Sequence, residues 1–309
     1  MTDARVTQSL PKPRSLSRDV WDQFRTHKGA LTGLIVLGIL VTFVIIGPLV
    51  WRISPAFVEP DSAKMILSRN KPPTWAHPLG TDQLGRDMLA RLMSGGKVSL
   101  AVGTVAMIIS ILLGTLVGVL SGYFRRLDGP LMRLTDLFLA LPLLPLLLVM
   151  MLLFGDKVRG LIGPELGTFM LVVSAIGVTS WMSAARIVRG QVLALKEREF
   201  VLAARSIGTP PFRLIVRHIL PNVVSSIMVA ATLGIASAII TESVLSFLGL
   251  GFPPDFPTWG RLLYDGTSYM QLYPQRVMWP GLAISLTVLS VNYIGDGLRD
   301  ALDPRIRGR

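Results

Sequence analysis

The chain has 309 residues, of which 51% are hydrophobic and only 16% charged, with 31 Lys and Arg against 19 Asp and Glu. So apolar a composition disfavours an ordinary soluble domain of this length. With no cysteine, disulfides, thiolate metal sites and a cysteine nucleophile are excluded.

The first thirty residues are polar, with Pro11 and Pro13 among alternating Ser and Arg, and a poorly ordered start is expected. A cleaved signal peptide places its apolar stretch nearer the beginning, so none is expected. From Arg18 to Lys28 the pattern fits a helix lying in the membrane interface, with Trp21 and Phe24 toward lipid and Arg25 and Lys28 toward headgroups.

Six apolar blocks follow: Leu31–Trp51, Val98–Leu120, Leu137–Phe154, Thr168–Ala185, Ile219–Ile240 and Trp279–Ile294. About 20 such residues cross the hydrocarbon core as a helix, so an all-α membrane protein with six transmembrane helices is expected. Gly33, Gly38, Gly47, Pro142, Pro145 and Gly234 lie inside these blocks. Small residues let helices approach in a bilayer, and neighbours satisfy backbone groups that proline frees. With the N-terminus inside, cytoplasmic pieces carry 20 basic residues and external ones 11. Both termini are therefore expected in the cytoplasm, and the basic surplus is topological instead of a nucleic-acid footprint. The resulting division is a cytoplasmic tail 1–30, a first helix 31–51, an external loop 52–97, a core 98–298 containing the cytoplasmic loop 186–218, and a tail 299–309.

No energy source is visible in the chain. Gly95-Gly96-Lys97-Val98 lacks the earlier glycine and the hydroxyl of a phosphate-cradling loop, and is expected to be a loop at a helix start. Glu242, just past the fifth block, is expected as an interfacial carboxylate at the outer surface. His27, His77 and His218 are scattered, which suggests no metal site. Asp136 is placed to oppose Arg133 or to favour a helix N-terminus. Asp296, Arg299, Asp300 and Asp303 have the spacing of a self-paired helix end, stopped by Pro304.

The cytoplasmic loop carries the most informative pattern. Lys196 to Ile207 favours helix, including Glu199, Phe200 and Arg205, and Gly208 suits the left-handed position beyond its end. Thr209 fits an N-cap with Pro210 opening a second helix. Ala203 and Ala204 leave a low surface for another protein, although an ordinary amphipathic connector has the same chemistry.

Leu202-Ala203-Ala204, Gly208 and His218-Ile219-Leu220-Pro221 together resemble the Glu-Ala-Ala loop of ABC importer permeases, with Leu202 in place of Glu and His218 in place of Ile. His77 to Asp87, Ser246 to Gly251 and Gly295 to Pro304 narrow the likeness to oligopeptide and dipeptide permeases, C-type subunit. The resemblance implies a type I importer in the cytoplasmic (inner) membrane of a bacterium or archaeon. Its parts would be a B-type permease partner, two ATPase domains that bind ATP and Mg, and an external peptide-binding protein or lipoprotein. The loop with Ala203, Ala204 and Gly208 would be the coupling helix, and the chain itself would hold no cofactor and catalyse nothing. Nickel or glutathione relatives fall under the same likeness. In the external loop, Gly80 and Gly85 are expected at turns, and Asp82, Arg86 and Asp87 are expected to pair locally and pack the loop. An ion-driven carrier needs intramembrane charge that these blocks lack, and a membrane enzyme needs a nucleophile, base or metal constellation that is not found.

Overall fold

A computed structural model describes residues 16–302, so the expectations at Pro11, Pro13, Asp303 and Pro304 lie outside the described residues. The described residues are helical, with only two isolated bridges, Thr74 with His77 and Thr81 with Asp87. In chain order the helices are α1 (Leu16–Thr26), α2 (Lys28–Val50), α3 (Ser62–Ser68), α4 (Met88–Tyr123), α5 (Arg125–Ala140), α6 (Leu143–Ile162) and α7 (Pro164–Val178). They continue as α8 (Met182–Leu195), α9 (Glu199–Ser206), α10 (Pro211–Leu214), α11 (Leu220–Phe247), α12 (Trp259–Thr267) and α13 (Gln275–Leu302). A π turn, Ile215–Ile219, joins α10 to α11.

Four of these stretches are each long and apolar enough to cross a membrane: α2, α4, α13 and the run Pro211–Phe247. The pairs α5–α6 and α7–α8 are bent by 86° and 41°, and six crossings result when each pair is one span. The third apolar block thus straddles a break. Pro142 is the cause, because a residue before proline avoids the helical region, and Leu141 is extended at φ −73, ψ 134.

The second block is the inner part of a much longer helix. Gly95 and Gly96 are helical residues in α4 and not a loop, since they admit α12 closely. A Cβ on Gly95 would lie 3.1 Å from the Thr258 carbonyl carbon, and one on Gly96 would lie 2.8 Å from Trp259. At the chain start, His27 caps α2, its Nδ1 accepting from the Ala30 amide at 3.0 Å. Phe24 does not face lipid as expected: it is 7% exposed and packs with Ala30 and Ala301, while Trp21 stacks on its outer side at 5.9 Å. The C-terminal helix supplies the apolar seat that the amphipathic pattern of α1 could not reveal.

The core of the bundle is α4, which packs along α8, α11 and α7. Gly114, Gly118 and Gly122 recur every fourth residue on its α8 side. Added Cβ atoms there would stand 2.6 Å from Ala184, 2.6 Å from the Ala185 carbonyl oxygen and 2.7 Å from Val192. Small residues at this spacing let two helix backbones touch without a solvent-driven force. Gly118→Leu is expected to force the pair apart and cost about 1–3 kcal/mol, seen as a lower melting temperature of the detergent-purified chain. An unchanged melting temperature would mean the seam does not hold the helices.

Candidate functional site: a glycine turn, a buried ion-pair cluster and a hydroxyl-lined groove

The turn between α9 and α10 is built by its own backbone. Gly208 has φ +80, and two bonds close the end of α9: Gly208 N–H to the Arg205 carbonyl at 3.0 Å and Thr209 N–H to the Ala204 carbonyl at 3.2 Å. This 5→2 and 6→1 pair requires the left-handed residue that glycine supplies. Two details differ from expectation. The helix begins at Glu199, because α8 runs to Leu195 and Arg198 is extended. Pro210, not Thr209, precedes the next helix, with Pro211 at its first position. The Thr209 amide is already spent on the α9 cap, and a residue before proline is driven extended.

The two alanines face opposite ways. Ala204 is 8% exposed and buried with Val201 and Leu214, so it is the underside of the turn and not part of a low outer surface. The outward face carries Ala203, Leu202, Glu199 and Phe200, with Ile207 at 83% and Phe212 at 78% exposure. Arg205 leans over the Tyr123 ring, 6.0 Å from its centroid. Lys196 Nζ donates to the Gly122 carbonyl at 3.2 Å, and Arg189 makes a bidentate pair with Asp128 at 2.6 and 2.9 Å. Asp136 pairs with Arg186 at 2.6 Å instead of Arg133, an interhelical contact replacing the local one. Pro221 is exposed in the first turn of α11, beside a hollow lined by Phe212, Arg213, Val216 and Arg217. At the other end of the chain, Asp300 lies 3.7 Å from His27 in place of a partner on its own helix.

The cluster around Asp82 turns inward. Gly80 and Gly85 take φ +76 and +78. Asp82 accepts from the Leu84 and Arg86 amides at 2.8 and 2.9 Å, from Arg86 Nε at 2.7 Å, and from Arg91. Arg91 reaches on to Asp265 at 3.3 Å. Burial raises the Asp82 pKa, but Arg91, Arg86 and the amide bonds outweigh it and hold the carboxyl below its ordinary value. The local Asp82–Arg86 pair therefore forms, whereas Asp87 turns elsewhere. Asp87 caps α4 at the Ala90 amide (2.7 Å), meets His77 Nδ1 at 2.8 Å and accepts from Trp51 Nε1 at 3.2 Å. Arg276 closes the cluster, donating to Gln83 at 3.3 Å and to the Thr81 carbonyl at 3.1 Å, with its guanidinium 4.7 Å from the Tyr269 ring centroid. Arg91, Asp265 and Arg276 carry no local motif, and only tertiary proximity reveals them.

Glu242 is not at the outer surface. The helix continues to Phe247, and Glu242 is fully buried, accepting from Ser99 at 2.9 Å and Ser246 at 2.7 Å. Ser99 in turn accepts from the Trp259 amide at 3.2 Å, so the carboxyl ties α4, α11 and α12 together. The expected interfacial carboxylate is instead satisfied by hydroxyl donors inside the bundle.

Between α4, the α7–α8 break and α11 lies a groove of about 240 Å³, lined by Ala106, Ser110, Ser180, Ser183, Gly234 and Ser237 among others. A second hollow of about 220 Å³ shares Ser180, Ser183 and Ser237 and extends toward Phe138 and Leu146. None of the residues lining either is charged. Its signal in the sequence is serine inside or beside otherwise apolar blocks.

Long apolar helices packed around an uncharged groove, with buried ion pairs at one end, mark a membrane-embedded protein. Residues 87–308 match the binding-protein-dependent transport system inner membrane component, and residues 15–73 match the N-terminal TM domain of oligopeptide transport permease C; the chain belongs to this family. It is 38% identical over 297 residues to the oligopeptide transport system permease protein OppC of Bacillus subtilis, covering 96% of this chain and 92% of that protein. To the dipeptide transport system permease protein DppC of the same organism it is 39% identical over 308 residues, with 98% and 90% covered. The OppC of Haemophilus influenzae is 37% identical over 304 residues, with 98% and 93% covered.

Proposed function

We propose that this chain is one of two different permease subunits of an ATP-driven importer of small peptides. The observation that carries the reading is the outward apolar face around Gly208, where Ile207 and Phe212 are 83% and 78% exposed on a rigid turn between two apolar helices. An exposed aromatic and aliphatic pair on a fixed backbone suits a protein partner, and the family supplies an ATPase for that place. The peptide substrate is supported by the names of the relatives, which transport oligopeptides and dipeptides.

In this reading a B-type permease completes the path, two ATPase domains bind ATP and Mg²⁺, and an external peptide-binding protein or lipoprotein delivers the substrate. The chain contributes half of the path and no catalysis of its own. Closure of the ATPase pair moves the α9–α10 turn, and through α11 switches the groove between outward and inward access. The excess of basic residues in the cytoplasmic pieces supports both termini lying inside the cytoplasmic membrane of a bacterium or archaeon.

Reconstitution of the full complex in vesicles tests the assignment. Peptide uptake is expected to require ATP and to survive ionophores that collapse ion gradients. Uptake that follows the ion gradient, or ATP hydrolysis by this chain alone, would overturn it.

A further inference from the structure

The α7–α8 break leaves hydrogen-bond donors free inside the groove. The first bond within α8 runs from the Ala185 amide to the Trp181 carbonyl at 3.0 Å, and no side chain caps the helix. The amides of Met182, Ser183 and Ala184 therefore lack a partner across the break. Ser180, Ser183 and Ala184 line the groove at this point. A second, independent feature faces the same space: Ser110 is only 7% exposed, lines the groove from α4, and makes no hydrogen bond among the described residues. Other hydroxyls of the apolar helices bond back to their own backbone, as Thr179 does to Ala175 at 2.7 Å and Thr241 to Ser237 at 2.9 Å, or, like those of Thr115 and Ser243, are shut in away from the groove without a partner. An unpaired hydroxyl and unpaired amides in a low-dielectric groove are costly unless a ligand or water takes them.

We propose that the N-terminus of α8, with the hydroxyls of Ser110, Ser180 and Ser183, is a carboxylate subsite that holds the C-terminal carboxylate of a peptide in transit. The inference rests on the groove being part of the path. A helix N-terminus carries about half a positive charge and directs its free amides at an anion. No charged side chain lines the groove, so this end is its one fixed positive feature, and it recognises an anion without regard to peptide side chains. Holding substrate with a helix broken within the bilayer also permits release, because no full charge has to be uncovered.

The chain has no cysteine, so single thiols at positions 183 and 237 give clean probes in the reconstituted complex. Ser183→Cys and Ser237→Cys are near-isosteric, and both positions line the groove, only the first being at the free helix end. Alkylation at position 183 is expected to follow a pH profile at least about one unit lower than at 237, as thiolates at helix N-termini do. Trialanine is expected to slow alkylation at 183 roughly tenfold more than its C-terminal amide does, the range of a partly buried charge at a helix end. Coincident pH profiles, or equal protection by acid and amide, would overturn the subsite. If neither peptide protects either position while ATP-dependent uptake of trialanine continues, the groove is not the path and the subsite falls, but the permease assignment stands. Absence of ATP-driven uptake by the native complex would instead strike the proposed function itself.

Discussion

Asp82→Ala is expected to destabilise its end of the bundle by about 3–5 kcal/mol, the range for removing one partner of a buried charge pair. Arg86 and Arg91 are 4% and 1% exposed, and Asp82 is the carboxylate between them. Without it Arg91 keeps Asp265, at 3.3 Å, and the Pro254 carbonyl, at 3.4 Å, and Arg86 has no other carboxylate partner among the described residues. Arginine side chains stay charged in proteins, so neutralisation does not relieve the cost. Tryptophan fluorescence during thermal unfolding of the purified chain measures the loss, with Trp51 and Trp259 packed close to the cluster. A change under about 1 kcal/mol would mean that the arginines reach water and that the pair is worth no more than an exposed one. The pH dependence has a definite sign. The folded pKa of Asp82 lies below its ordinary value, so its stabilisation is complete at neutral pH and is lost only as pH falls through that lower value. Instability setting in between pH 7 and 5 would have to come from another group.

The second large effect is expected at the α9–α10 turn. In the proposed complex, Phe212→Asp should weaken co-purification of the ATPase roughly thirtyfold, the scale of a central interface residue, and reduce peptide uptake in parallel. Membrane abundance should not change, because Phe212 is 78% exposed and supports nothing within its own chain. Ala203→Arg, on the same outward face, should act in the same direction through bulk and charge. Ala204→Arg is not an equivalent probe: Ala204 lies against Val201 and Leu214, and an arginine there breaks the turn before any partner is reached. Normal assembly and uptake with both Phe212→Asp and Ala203→Arg would defeat the interface.

The contrast between Ala203 and Ala204 shows where the chain pattern is sufficient and where it is not. The turn at Gly208 is a local object, set by one left-handed residue and two prolines, and is legible from a dozen neighbouring residues. Which face of α9 turns outward depends on Leu214, which reaches back under the helix from beyond the turn. The same distinction explains the helix lengths. α2 ends near the limit of its apolar block, where polar residues meet water, whereas α13 runs on past Ile294 to Leu302. α4 and α11 run on through Arg91 and Glu242, because Asp82, Asp265, Ser99 and Ser246 neutralise or satisfy them. Hydropathy treats each charge as if it faced solvent, so it ends a span where a remote partner lets it continue. Pro142 acted in the opposite sense, dividing one apolar block into two helices at a right angle by a purely local restriction on Leu141.

The contacts of α2 bear on how the chain is made. Its main neighbour is α13. A Cβ on Gly33 would stand 2.7 Å from the Ser290 carbonyl oxygen, and Gly297 lies against Ala30 and Phe24. α2 thus acquires its principal neighbour only when α13 emerges from the ribosome, after more than two hundred intervening residues have been inserted. Lipid chains cover an apolar helix as well as leucine does, so the wait costs little. A ribosome stalled before α13 consequently leaves α2 inserted but unclasped.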